Sequence, residues 1–350
     1  MFEWLCLHGL NQINGDRTLS AFYHIMTGKR SIQTIQDTRL YQLEKYYHVL
    51  PALDRHKYDE LILSFESKNW IKKIADQKVI VTEKGRAFLT NNPVSAVNHL
   101  LEGLEYYLVA PIFIARFELA VQTYTHLSMN QHAFDPIQQA TDVQQFIKQH
   151  YHLHRSNLND WLTQLYQRIH KYLLPFQACY AEIFVERLTA YQSSGQSIQQ
   201  LTAKHQLSNE DVELILLGLY HQLIKQIEQS SDDLLGSFVL LNHQEDGLKL
   251  TRTAAITSRY LARGFDIEAI ATHRNLKQST IEDHLVEICY HRSQFDIRPY
   301  VTEAAEELIL AAIDERHTYK VATIKQALND TVSYLAIRLV LAKIYHRKKH

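Results

Sequence analysis

Glycine and proline are scarce, ten and six in 350 residues. So few chain-breakers exclude a collagen-like or low-complexity chain. With 46% hydrophobic and 21% charged residues, the composition points to a helix-rich globular protein rather than a disordered one. Cysteine is scarce too. Cys6, Cys179 and Cys289 are scattered and form no C-x-x-C, which excludes a disulfide framework and a cysteine-built zinc site and fits a reducing compartment. No charge sign dominates, because 37 Lys/Arg against 38 Asp/Glu leave −1, so the chain is not a generic polycation. Long apolar runs are missing. Tyr106 to Ala115, between Glu105 and Arg116, falls far short of the roughly 20 residues that span a bilayer. Met1-Phe2-Glu3-Trp4 offers no basic segment of a signal peptide. The expectation is a soluble cytoplasmic protein without membrane contact.

Catalytic signatures are also missing. Gly28-Lys29 is no phosphate-binding loop, because the earlier glycine that such a loop requires falls on Tyr23. Neither H-E-x-x-H nor G-x-S-x-G occurs. The expectation is a non-enzymatic protein with no ATPase engine and no cofactor. Among the 20 histidines, His150 and His154 would share a helix face, but no acidic or cysteine partner completes a metal site there. These histidines are read as polar surface.

What is present is mainly α. The length suggests two or three domains, and charge divides the chain. Residues 1–95 carry 13 basic and 10 acidic residues, residues 96–250 carry 9 and 16, and residues 251–350 carry 15 and 12. Mildly basic ends flank an acidic middle, so a nucleic acid would prefer the ends. Candidate boundaries are Asn91-Asn92-Pro93, Gln192-Ser193-Ser194-Gly195, Ser230-Ser231-Asp232-Asp233 and Asn242 to Gly247. The expected domains are 1–95, winged-helix-like; 96–250, a helical middle; and 251–350, a helix-turn-helix domain.

In the first block, residues 18–50 read as helix interrupted at Thr27-Gly28-Lys29-Arg30, with Pro51 as the stop. Asp54 caps a helix that buries Tyr58, Ile62 and Phe65. Trp70 to Ile74 and Lys78 to Thr82 then read as a hairpin about Asp76-Gln77. Helices followed by a hairpin look like a winged helix, whose pre-hairpin helix enters the major groove. Arg55, His56 and Lys57 are the groove candidates, with Lys72, Lys73, Lys78, Lys84 and Arg86 about the wing. Protein docking is the other use of such a module.

The last block is more specific. Thr251 to Arg263 reads as an amphipathic helix with Ile256 and Tyr260 inward. Asp266 caps a short helix to Arg274, a turn follows at Asn275-Leu276-Lys277, and Gln278 to Tyr290 turns Ile281, Leu285 and Ile288 inward. Ala271 is small where two helices cross, and Asn275 occupies a left-handed position. Arg274 and Lys277 are expected near phosphates, with Gln278, Ser279, Thr280 and His284 on the recognition surface. Glu282 and Asp283 weigh against tight duplex binding, and Ser279 with Glu282 forms a possible capping box. Helices are expected over Thr302 to Arg316, Lys320 to Leu328 and Ser333 to Tyr345, before the basic end His346-Arg347-Lys348-Lys349-His350. In the middle, Ser197 to His205 and Asn209 to Ile227 read as a second, acidic helix-turn-helix that serves as spacer or self-association surface. Tyr106, Tyr107, Phe113 and Phe117 read as bundle core.

Gly264 to Ala271 and Leu276 to Leu285 resemble the helicase-associated helix-turn-helix module at the carboxy ends of some RecQ-type helicases, and Ser333-Tyr334 with Ile337 to Leu341 resemble its last helix. Gly28 to Asp37 resembles the start of the YpbB family of Gram-positive bacteria, which carries that module on a chain of this length. Lys277 replaces the module's usual capping serine and Asn275 its usual glycine. The resemblance implies a DNA-associated adaptor, working with a RecQ-type helicase in repair or replication and meeting forked or single-stranded DNA, with homo-oligomerisation open. The alternatives are a sequence-specific transcription regulator and a protein scaffold without nucleic-acid contact.

Overall fold

A computed structural model of the chain describes residues 1–92, 96–230, 234–239 and 250–349. The expected boundary residues Pro93, Ser231-Asp232-Asp233 and Asn242 to Gly247 lie outside them, as do His350 and the side chains of Lys348 and Lys349. The chain is predominantly helical, with a single two-stranded antiparallel sheet among the described residues.

The chain opens on a helix absent from the sequence expectations, Phe2–Ile13, which buries Phe2, Leu5, Cys6, Leu10 and Ile13. It is followed by Leu19–Thr27, closed by Gly28 at φ 71°, and by Ile32–Leu40, opened by the Ser31 side chain. The helix expected to continue to residue 50 ends here. Gln42 turns left-handed at φ 57°, and residues 41–53 fold back with a single 3-10 turn, Glu44–Tyr46. Leu43, Tyr46, Tyr47 and Leu50 are buried all the same. Their apolar spacing reflects packing from several sides rather than one helix face. Asp54 accepts the Lys57 amide and starts Arg55–Ser67. Strands Ile71–Ala75 and Lys78–Val81 pair with Ile71 opposite Val81, and Thr82 caps Glu83–Asn91.

The middle contributes Val109–Ser128, Thr141–His154, Leu158–Leu173, Ala178–Arg187, Ile198–His205 and Asn209–Ser230. The expected second helix pair is present. A reciprocal Ser197–Gln200 capping box starts its first helix, Gln206 turns at φ 55°, and Ser208 accepts the Asp211 amide at 3.1 Å. His150 is a correction to the surface-histidine expectation. It is buried, 2.6 Å from the Tyr124 hydroxyl, and burial, then His154, pulls its pKa down to about 4.

Two hydrophobic cores result. One runs continuously from Phe2 to Phe238, so residues 1–92 and the helical middle share it, and the turn at Gln192 to Gly195 lies within this body. The second gathers residues from Ile270 to Tyr345 and takes in Leu40 from the first block. A polar seam joins them. Asp16 accepts the Tyr319 amide at 3.0 Å and the hydroxyls of Tyr41 and Thr318, while Arg17 pairs with Asp37 and donates to the Tyr319 carbonyl at 3.3 Å. Arg39, 4% exposed, lies 4.9 Å from the Tyr290 ring and 5.6 Å from the Tyr345 ring, with an Nη2 2.9 Å from His291 Nε2.

Candidate nucleic-acid interface

The carboxy-terminal block builds its helix-turn-helix from local rules. Asp266 accepts the Ala269 amide at 2.8 Å and starts Ile267–Arg274. Asn275, at φ 51°, closes that helix, and the Leu276 amide returns to the Ala271 carbonyl at 2.9 Å. The recognition helix, Gln278–His291, then turns Ile281, Leu285 and Ile288 into the core at 0% exposure. A preceding helix, Arg252–Ala262, packs on it through Ala254, Thr257 and Ser258. Ile256 and Tyr260 are only half-buried, because a close helix crossing admits small side chains and displaces large ones to its edge. Glu303–Arg316, Val321–Ala327 and Tyr334–Lys349 complete the block.

The enclosure leaves little of the recognition helix accessible. Lys277, Gln278 and Ser279 are exposed, and Thr280 and Glu282 are half-buried. His284 is buried, which removes it from the expected recognition surface. Its Nδ1 lies 2.9 Å from the Thr257 hydroxyl, and burial, then Arg274, lowers its pKa. Arg274 is half-buried and braced within the chain. Its guanidinium donates to the Thr253 carbonyl at 2.9 Å and to the Thr257 hydroxyl. The Ser279–Glu282 capping box does not form, because the helix begins at Gln278 and the capping position is Lys277, whose side chain makes no cap bond. The amino end of this helix therefore projects amide N–H groups without a side-chain acceptor, next to a lysine and two small polar side chains. Asp283 is neutralised by Arg338 at 2.7 Å, a partner 55 positions away that no sequence signal marks.

At the amino-terminal end the groove candidates are engaged within the chain. Arg55 pairs with Asp59 at 2.9 Å, donates to Ser20 and lies over Tyr23. Lys57 pairs with Glu210 of the middle at 2.5 Å, His56 faces Glu60, and Lys78 donates to the Asp16 carbonyl. Arg86 donates to the Val81 carbonyl at 2.6 Å and Lys73 pairs with Glu66 at 3.3 Å, though both remain exposed. Lys72 on the first strand and Lys84 in the first turn of Glu83–Asn91 are exposed as well. The structure leaves Lys277, Gln278 and Ser279 exposed at the start of one helix, and Lys72, Lys73, Lys84 and Arg86 exposed on the hairpin and the helix after it. It buries His284 and engages Arg55, Lys57 and Arg274 within the chain, with Lys57 still exposed. At the carboxy end, Arg347 pairs with Glu306 at 2.9 Å. Among the described residues no cluster of His, Cys, Asp and Glu is placed to hold a metal ion, and no helix is long and apolar enough to cross a membrane.

Residues 253–341 match a family described as a helix-turn-helix domain, which spans the helices just described. Over 348 residues the chain is 29% identical to protein YpbB of Bacillus subtilis strain 168, covering 98% of this chain and 97% of that protein. No solved structure matches. The chain is thus similar to YpbB along nearly its whole length, and its carboxy-terminal part is a helix-turn-helix domain.

Proposed function

We propose that the chain is a non-enzymatic, DNA-associated adaptor that meets DNA through the first turn of its recognition helix. The observation that carries this reading is the open amino end of Gln278–His291, where Lys277, Gln278 and Ser279 are exposed beside uncapped amides. Helix amino ends with free N–H groups attract phosphate oxygens, and a basic residue there adds counterion release. Beyond Ser279 the helix offers the half-buried Thr280 and the carboxylates Glu282 and Asp283, so few side chains suit base edges. That favours recognition of DNA structure over sequence and disfavours the transcription-regulator alternative. The exposed wing residues Lys72, Lys73, Lys84 and Arg86 supply a second backbone contact. A RecQ-type helicase is the partner implied by the module's resemblance, in repair or replication.

The test is binding of the purified chain to labelled forked, single-stranded and duplex DNA across a salt series. Structure-preferring, salt-sensitive binding is expected. Lys277→Ala should reduce the salt slope by about one counterion, and Gln278→Ala should weaken binding without unfolding the chain. Absence of binding at low salt rejects direct DNA contact and leaves the scaffold alternative. A preference of orders of magnitude for one duplex sequence restores the regulator.

A further inference from the structure

The three cysteines differ in their surroundings. Cys6 and Cys289 are at 0% exposure, whereas Cys179 is half-buried on the second residue of Ala178–Arg187. Its Sγ lies 3.5 Å from His205 Nδ1, at the end of Ile198–His205. The other ring nitrogen, Nε2, lies 3.0 Å from Glu186 Oε2, and the second oxygen of that carboxylate pairs with Lys204 at 2.6 Å. A carboxylate only accepts hydrogen bonds, so Nε2 carries the proton in the neutral imidazole and Nδ1 presents a lone pair to the thiol. Nucleophile, base and orienting carboxylate therefore stand in line, each within reach of the next.

We propose that Cys179 is a base-assisted thiol that reacts with hydroperoxides, with His205 taking its proton and Glu186 holding the imidazole in the required tautomer. As the thiol proton passes to His205 Nδ1, the sulfur attacks one peroxide oxygen and the O–O bond breaks. The departing hydroxide recovers the proton from the imidazolium as water. Sulfur is oxidised to the sulfenic acid and the peroxide is reduced, so Cys179–SH and HOOH give Cys179–SOH and H2O. Burial, then Glu182 and Glu186, raises the Cys179 thiol above its ordinary range, so the resting group is the neutral thiol and reaction depends on the imidazole. The charged and titratable groups about it are Glu182 and Glu186 on its own helix and Lys204 and His205 on the next. Asp211, on Asn209–Ser230, acts on the neighbouring Tyr180.

The experiment treats the full chain with hydrogen peroxide and dimedone and locates the adduct by peptide mass. Iodoacetamide alkylation rates are followed at about pH 7, below ordinary thiol ionisation. The expected result is an adduct at Cys179 alone and an alkylation rate at about pH 7 that falls by about tenfold or more in His205→Asn. Glu186→Gln keeps an acceptor for Nε2 but removes the charge, and is expected to slow the reaction with unchanged circular dichroism. It serves as the deciding variant if His205→Asn does not fold. The proposal is overturned by no adduct at Cys179, by equal labelling of all three cysteines, or by variant rates equal to the parent's.

Discussion

Gly103 has no room for a side chain, since a Cβ there would lie 2.2 Å from the Tyr47 carbonyl oxygen and 2.9 Å from that of Lys45. Gly103→Ala is therefore expected to cost about 1–3 kcal/mol, read as a lower midpoint in urea unfolding. Close by, His221 is 1% exposed, and its Nδ1 accepts the Glu102 amide at 3.1 Å, so that nitrogen must be unprotonated. Burial pulls its pKa from 6.5 down to about 3. A folded-state pKa below the unfolded one means that the unfolded chain binds the extra proton first. The stability His221 contributes is present above about pH 6.5 and is lost as pH falls from there towards 3. His8, lowered to about 4 by burial and then Lys45, acts with the same sign. His221→Asn retains an acceptor without the titration. It should flatten the decline in urea midpoint below about pH 6.5, and an unchanged decline would show that His221 does not govern it. Single residues were legible where their partner is local. Asp54, Asp266 and Asn275 act on backbone within a few positions. Arg274 and His284 were not, because Thr253 and Thr257, which hold them, lie on a helix one element away.

Among the elements, the recognition helix begins without a side-chain cap. Lys277→Ser supplies the missing acceptor, and a gain of about 1 kcal/mol is expected in chemical unfolding. The same change removes a cation from the proposed phosphate contact, so DNA affinity should fall while stability rises. A parallel loss of both would point to a folding role for Lys277 instead. Three helices of the last block were readable because strong caps coincide with apolar periods: the side chains of Thr251, Asp266 and Thr302 each accept an amide of the first turn. Two elements were not. Phe2–Ile13 has buried residues on more than one side, including Leu7 and Gly9, so no single stripe announces it. Residues 41–53 have helical spacing of apolar residues without helical backbone, because tertiary burial from several directions mimics the period.

For the whole molecule, the charge pattern of the sequence has a partly internal explanation. The acidic middle receives Lys57 at Glu210 and the Met1 amine at Asp211, so some of the basic surplus expected for an outside partner is neutralised within the chain. That pairing could not be read from composition, which gives totals and not neighbours. The seam between the two cores offers a test of how they communicate. Asp16→Ala leaves the half-buried Tyr319 amide without this acceptor and should cost about 1–3 kcal/mol. Hydrogen exchange should quicken first at Tyr319 and its neighbours, with the amides around Ile281 and Leu285 still protected. Simultaneous loss of protection throughout would mean that the two cores unfold as one unit.

The continuous first core also bears on how the chain is made. Phe2–Ile13 and the hairpin are synthesised before most of the helices that close their core, which extend to Phe238. At about 5–20 residues per second, the roughly 225 residues from Ile13 to Phe238 take about 11–45 s. During that time the nascent chain presents Phe2, Leu5 and Leu10 without their full set of neighbours, a window in which a ribosome-associated chaperone has something to hold.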